Sequence, residues 1–89
     1  MKTEELPEPA LDHLVMQLAT SAAIELGEIA NPITGETNVS LSRARFSIGL
    51  LEVLQKKTSG NLSAAEQQLI EHALHGIRLA WLRHSNDGA

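Results

Sequence analysis

The stretch Leu26-Gly27-Glu28-Ile29-Ala30-Asn31-Pro32-Ile33-Thr34-Gly35-Glu36-Thr37 constrains the fold of this chain more than any other part of it. The sequence on either side keeps a helical period, and here the period stops. Proline after Asn31 biases residue 31 away from helical dihedrals, and Gly35 permits a positive φ. Such a segment separates two helices, and its density of turn-forming residues predicts one defined shape for the connection.

Three helices follow from the remaining periodicity. The first is expected from about Ala10 to Leu26, with Leu11, Val15, Leu18, Ala22 and Leu26 on one stripe, widened by Leu14 and Ala19, and with Gly27 as the stop. Its other side carries His13, Gln17, Thr20, Ser21 and Ile24, which is only mildly polar. Ser40 is a candidate N-cap for a second helix from Leu41 to about Thr58, where Lys56 and Lys57 suit the carbonyl end of the dipole. Leu41, Ala44, Phe46, Ile48, Leu50, Leu51, Val53 and Leu54 spread past half of its circumference, and Arg45, Gly49, Glu52 and Lys56 form the clear solvent stripe. Such a helix calls for more than one neighbour. Gly49 costs about 1 kcal/mol inside a helix, so it either meets a closely pressed backbone or partner or is tolerated in solvent.

Ser63-Ala64-Ala65-Glu66 is a capping box and starts the third helix, expected to run to about His84. Leu69, Ile70, Ala73, Leu74, Ile77, Ala80 and Trp81 form its inner face. Gln68, Glu71, His75 and Arg78 point outward, together with Leu79 and Leu82. The resulting reading is an all-α, three-helix antiparallel bundle with a long ordered loop between helices one and two, because connections this short favour antiparallel neighbours. Ile29 and Ile33 are expected to tuck onto the bundle end. Residues 1–9, with two prolines and three glutamates, read as a flexible acidic arm, 10–84 as a single helical domain and 85–89 as a disordered tail.

A chain of 89 residues buries about 60 to 65% of its unfolded surface, a thin margin. With one Phe, one Trp and no Tyr, the core is aliphatic. Such a small core often gains stability by pairing with a copy of itself, so a homo-oligomer is expected, a dimer first, with its core completed by association. Phe46, Leu50, Val53, Leu79, Trp81 and Leu82 are the candidate interface residues, for a second copy or for an unidentified protein partner.

A net charge of -4 argues against a nucleic-acid binder, whose affinity rests on Lys and Arg neutralising phosphates. The charge is uneven: residues 1–36 hold seven carboxylates against Lys2 alone, whereas residues 37–89 hold six bases against four acids, so the halves should attract each other. The absence of cysteine fits a reducing compartment. No secretory signal opens the chain, and the uncharged window from His13 to Ile24 is shorter than a membrane span. The expected location is therefore the cytoplasm, with no membrane partner.

Two sets of side chains invite chemistry. Arg43 and Arg45 lie at the start of helix two, where cations oppose the dipole unless something negative is near. Ion pairs with Glu28 and Glu36 would supply it. The alternative is an external anion or nucleotide held across residues 34–45 by Thr34, Gly35, Ser40, Arg43 and Arg45, although Thr34-Gly35-Glu36-Thr37 lacks the glycine spacing and the lysine of a phosphate loop. His72-x-x-His75 puts two imidazoles one turn apart and would bind metal only if His13 or a carboxylate completed the set. Both sit on the polar face, where Glu71 four residues before His75 makes a helix-surface pair, and the solvated reading is preferred. No nucleophile sits on a strained turn, so the expectation is a non-enzymatic protein with no metal and no cofactor.

Leu26-Gly27-Glu28-Ile29, Asn31-Pro32, Thr34-Gly35-Glu36, Arg45 with Ile48, Leu50-Leu51, Leu54, Lys57-Thr58 and Gly60-Asn61-Leu62 resemble a bacterial family, the small domain of unknown function numbered eighteen-forty-four. The resemblance runs from about Leu14 to Leu82 and departs at Trp81-Leu82-Arg83-His84, where a less tryptophan-centred ending is expected. It implies a small helical cytoplasmic protein of bacteria. It transfers no catalytic residue, cofactor or partner.

Overall fold

The computed structural model describes residues 4–86. The outermost parts of the expected acidic arm and tail, residues 1–3 and 87–89, lie outside the described residues. Residues 4–10 form no helix or strand and are exposed.

Helix α1 spans Leu11–Glu25. Its stripe buries Val15, Ala22 and Leu26 completely, with Leu11, Leu18 and Ala19 half-buried, whereas Leu14 faces solvent. The stop has a local cause. Glu28 N–H donates to the Ala23 carbonyl at 2.9 Å and Gly27 N–H to that of Ile24 at 3.0 Å, the paired bonds of a Schellman cap. Gly27 takes φ 75°, and a Cβ there would lie 3.1 Å from Val39 Cγ2. The left-handed backbone favours glycine, and the close Val39 methyl adds to that.

The connection from Gly27 to Val39 is tied to itself and to α1. Asn31 N–H donates to the Glu36 carbonyl at 2.8 Å, Gly35 N–H to that of Asn31 at 2.7 Å, and Ser40 N–H to that of Glu25 at 2.7 Å. The Asn31 side-chain oxygen accepts from Ile33 N–H at 2.8 Å. One defined shape is present, as the turn residues predict. The expectation for its isoleucines fails, however: Ile33 is 91% exposed and Ile29 45% exposed. The Asn31-centred turn satisfies the backbone within the loop, and it carries Ile33 outward, away from the bundle.

Helix α2 spans Leu41–Thr58, with the Ser40 hydroxyl accepting from Arg43 N–H at 3.3 Å. Helix α3 spans Ala64–Asn86. Its capping box forms as read: Ser63 N–H donates to Glu66 Oε1 at 2.8 Å and Glu66 N–H to Ser63 Oγ at 3.1 Å. The helix continues through Ser85 and Asn86, two residues past the expected end.

Each helix packs on the other two. The main core is Val15, Ile48, Leu51, Ile70 and Leu74, flanked by half-buried leucines and by Trp81. A smaller cluster of Leu26, Ala44 and Ala80 gathers the end of α1, the start of α2 and the last third of α3. Polar ties accompany this packing. Ser47, buried, donates from Oγ to Glu25 Oε1 at 2.6 Å, and Trp81 Nε1 donates to the Leu41 carbonyl at 3.0 Å. Among the described residues no helix is long and apolar enough to cross a membrane.

Candidate functional site

Helix α2 buries Ala44, Ser47, Ile48 and Leu51. The opposite side of the same helix is also apolar: Phe46 is 69% exposed, Val53 55% and Leu50 40%. Together with Ser42, Arg45, Gly49 and Glu52 they line one shallow depression. Ser42, Phe46, Gly49 and Val53 follow one another at spacings of four, three and four residues, the repeat of a helix-pairing seam. Gly49 lies in the middle. Nothing stands within 4 Å of where its Cβ would be, so no group of this chain requires a glycine there.

Arg45 and Glu52 stand on the ridge between this depression and a cleft of about 250 Å³ between α2 and α3, lined also by Ile48, Arg78, Trp81 and Leu82. Phe46, Leu50, Val53 and Leu82, four of the six candidate interface residues, thus flank one ridge on this side of the molecule, while Trp81 turns inward. Trp81 is half-buried, packs against both core clusters and spends its indole N–H on α2. Leu79 is exposed one turn before Leu82.

The electrostatics of the ridge centre on Glu52. Its carboxylate accepts from Arg78 Nη2 at 2.8 Å and from Arg45 Nη1 at 3.3 Å. The Arg78 hydrogen bond holds the Glu52 carboxyl below the usual carboxylate range; partial desolvation opposes it, and Arg45 adds to the lowering. A second carboxylate does similar work five residues further along α3. Glu28 Oε1 accepts from Arg83 Nη2 at 2.5 Å and meets His84 Nε2 at 3.2 Å, and the Arg83 bond chiefly lowers its pKa. This ion pair joins the acidic and basic halves of the chain, as the uneven charge suggests.

The expected pairing of Arg43 and Arg45 with Glu28 and Glu36 is not what forms. Arg45 turns to Glu52, and Glu28 is taken by Arg83 and His84. Positions 43 and 45 are two residues apart and therefore point about 200° from each other around the helix, so one loop cannot serve both. Arg43 and Ser40 share a cleft with Ile24, Glu25, Asn31, Glu36 and Asn38. Two carboxylates line that cleft, which opposes an anion. Thr34 and Gly35 are not among its lining residues, Thr34 Oγ1 accepts from Glu36 N–H at 3.3 Å, and the Ser40 hydroxyl is engaged in the cap. The candidate anion site is thus not brought together.

His72 and His75 line a shallow depression with Ala65, Gln68, Leu69 and Glu71. Among the described residues no group of three or more His, Cys, Asp or Glu is arranged to hold a metal ion, and His13 lies on the outer side of α1 with Met16, Gln17 and Pro7. Glu71 accepts from Gln67 Nε2 at 3.2 Å in place of the expected pairing with His75.

Sequence reasoning missed the role of Glu52, which it placed on a plain solvent stripe. The available signal was the seven-residue interval from Arg45, which returns both to one face. It also missed the Ser47–Glu25 tie, whose partners lie 22 residues apart with no pattern to connect them.

The model of a family described as Domain of unknown function (DUF1844) matches residues 8–83, and the chain belongs to that family. No curated protein and no solved structure matches the chain.

Proposed function

We propose that this member of the DUF1844 family is a non-enzymatic helical module, an antiparallel three-helix bundle that completes its core by pairing with a second copy through the outer face of α2. The observation that carries the reading is the position of Phe46, Leu50 and Val53, large apolar side chains standing in solvent on the side of α2 opposite the core. Isolated exposed apolar residues are ordinary, but a contiguous stripe at pairing intervals marks an interaction surface.

The surface area supports it. The chain exposes 6590 Å², where a compact monomer of 9.6 kDa is expected to expose about 5,100 Å². The exposed residues before α1, the exposed Gly27–Val39 loop and the outer face of α2 all contribute to this excess. In this reading the protein works in the cytoplasm, and the exposed Ile33, Leu79 and Leu82 are left for an unidentified protein partner of the dimer.

Native mass spectrometry tests the proposal. The wild-type chain should give twice 9.6 kDa, and the Phe46→Glu chain 9.6 kDa with its helical content unchanged. A wild-type spectrum containing only the single-chain mass at micromolar concentration would refute it.

A further inference from the structure

The reading that a second copy covers α2 leaves the direction of the pairing open, and the charges beside the seam decide it. The inference that follows rests on that reading. Two copies related by a two-fold axis can cross their α2 helices parallel or antiparallel. Parallel crossing sets each residue of the seam against its own copy and carries the flanking Arg45 and Glu52 of the two copies to opposite sides of the seam, where neither meets its opposite charge in the partner.

Antiparallel crossing about Gly49 reverses this. Positions equally far before and after the glycine then face each other. Arg45 lies four residues before Gly49 and Glu52 three after, so each guanidinium comes to within one residue of the partner's Glu52, twice by symmetry. Phe46, three before, and Val53, four after, likewise meet across the axis. The apolar side chains thus fill one another's gaps, where parallel crossing would stack Phe46 on the partner's Phe46.

Two details of the ridge fit this arrangement. Arg45 holds Glu52 at 3.3 Å while Arg78 holds it at 2.8 Å, and the Arg45 side chain is 56% exposed. Arg45 is therefore the loosely held member, able to leave its own carboxylate for the partner's while Arg78 keeps Glu52 in place. Gly49, which no group of its own chain requires, lies at the crossing point, where the missing side chain lets two helix axes approach closely. We infer that two copies of this chain pair antiparallel across Gly49, with Arg45 of each reaching the partner's Glu52.

Reciprocal charge exchange tests the direction. The Arg45→Glu chain and the Glu52→Arg chain each place like charges across their own homodimers, and each should raise the dimer dissociation constant about tenfold. Mixed in equal amounts they are complementary at both contacts, and the mixture should recover the wild-type constant. Because Glu52→Arg also removes the partner of Arg78, cross-linking gives an independent reading. The chain has no cysteine. Ser42→Cys and Lys56→Cys chains, seven residues before and after Gly49, should form the mixed disulfide when oxidised together. Within one chain these positions are about 21 Å apart along α2, too far to bridge. A wild-type dimer in which Ser42→Cys chains join chiefly to each other would overturn the antiparallel crossing and leave the pairing through α2 standing. A dimer that forms neither disulfide would overturn the α2 seam itself, and a monomeric wild type would overturn both readings.

Discussion

The inner and outer faces of α2 carry similar side chains and meet different fates. Ala44, Ile48 and Leu51 are covered by α1 and α3, whereas Phe46, Leu50 and Val53, from the same turns of the same helix, are exposed. With two other helices available, one chain covers roughly half of the α2 circumference. The comparison teaches that hydrophobicity here exceeds what the monomer can bury. The surplus sits where a second helix would pack, with a glycine at its centre.

The two faces should respond oppositely to truncation. Leu51→Ala removes a completely buried side chain and should lower stability by about 2–5 kcal/mol in denaturant titration, at any protein concentration. If Leu51→Ala and Val53→Ala proved equally mild, the distinction between the faces would collapse.

Glycines sharpen the contrast further. Gly27→Ala forces a side chain into a left-handed backbone and against Val39, and should cost about 1–2 kcal/mol in the same titration. Gly49→Ala adds a Cβ in open space and should instead stabilise the isolated fold by up to about 1 kcal/mol, read in dilute solution where the monomer prevails. The same change should weaken self-association, read as a higher dimer dissociation constant. Opposite signs from one substitution are expected only if the position is idle within a chain and occupied between chains.

The smallest effect concerns pH. Glu28 and Glu52 are held below the usual carboxylate range by Arg83 and Arg78, so their contributions are present above that range and fade as the pH falls through it. Both pairs are solvent-exposed, so each contribution is below about 1 kcal/mol. Glu28→Gln should flatten the part of the acid loss that comes from the loop end, measured as melting temperature against pH between roughly 6 and 3.

Local chemistry made much of the fold legible. Ser40 and the Ser59-Gly60-Asn61 break mark the ends of α2, and the Ser63–Glu66 box marks the start of α3, because each motif satisfies its own backbone groups within a few residues. The shape of the Gly27–Val39 loop was legible for the same reason. The direction of Ile33 was not. It depends on where the Asn31-centred turn aims, which the polarity of the segment does not encode. The ion pairs were equally hidden: Glu28 and Arg83 are 55 residues apart, so only the packed helices bring them together. For the candidate site, Phe46, Leu50 and Val53 were readable as surplus hydrophobicity, while their separation from Trp81, which turns inward to Leu41, appears only once α3 is laid on α2.

Sedimentation equilibrium of the wild-type and Val53→Lys chains, over a range from sub-micromolar to hundreds of micromolar, tests most directly whether a second copy covers the outer face of α2. The account predicts a wild-type mass rising to twice 9.6 kDa and a Val53→Lys mass that stays at the monomer value with its fold intact. Identical masses for the two chains at every concentration would contradict it.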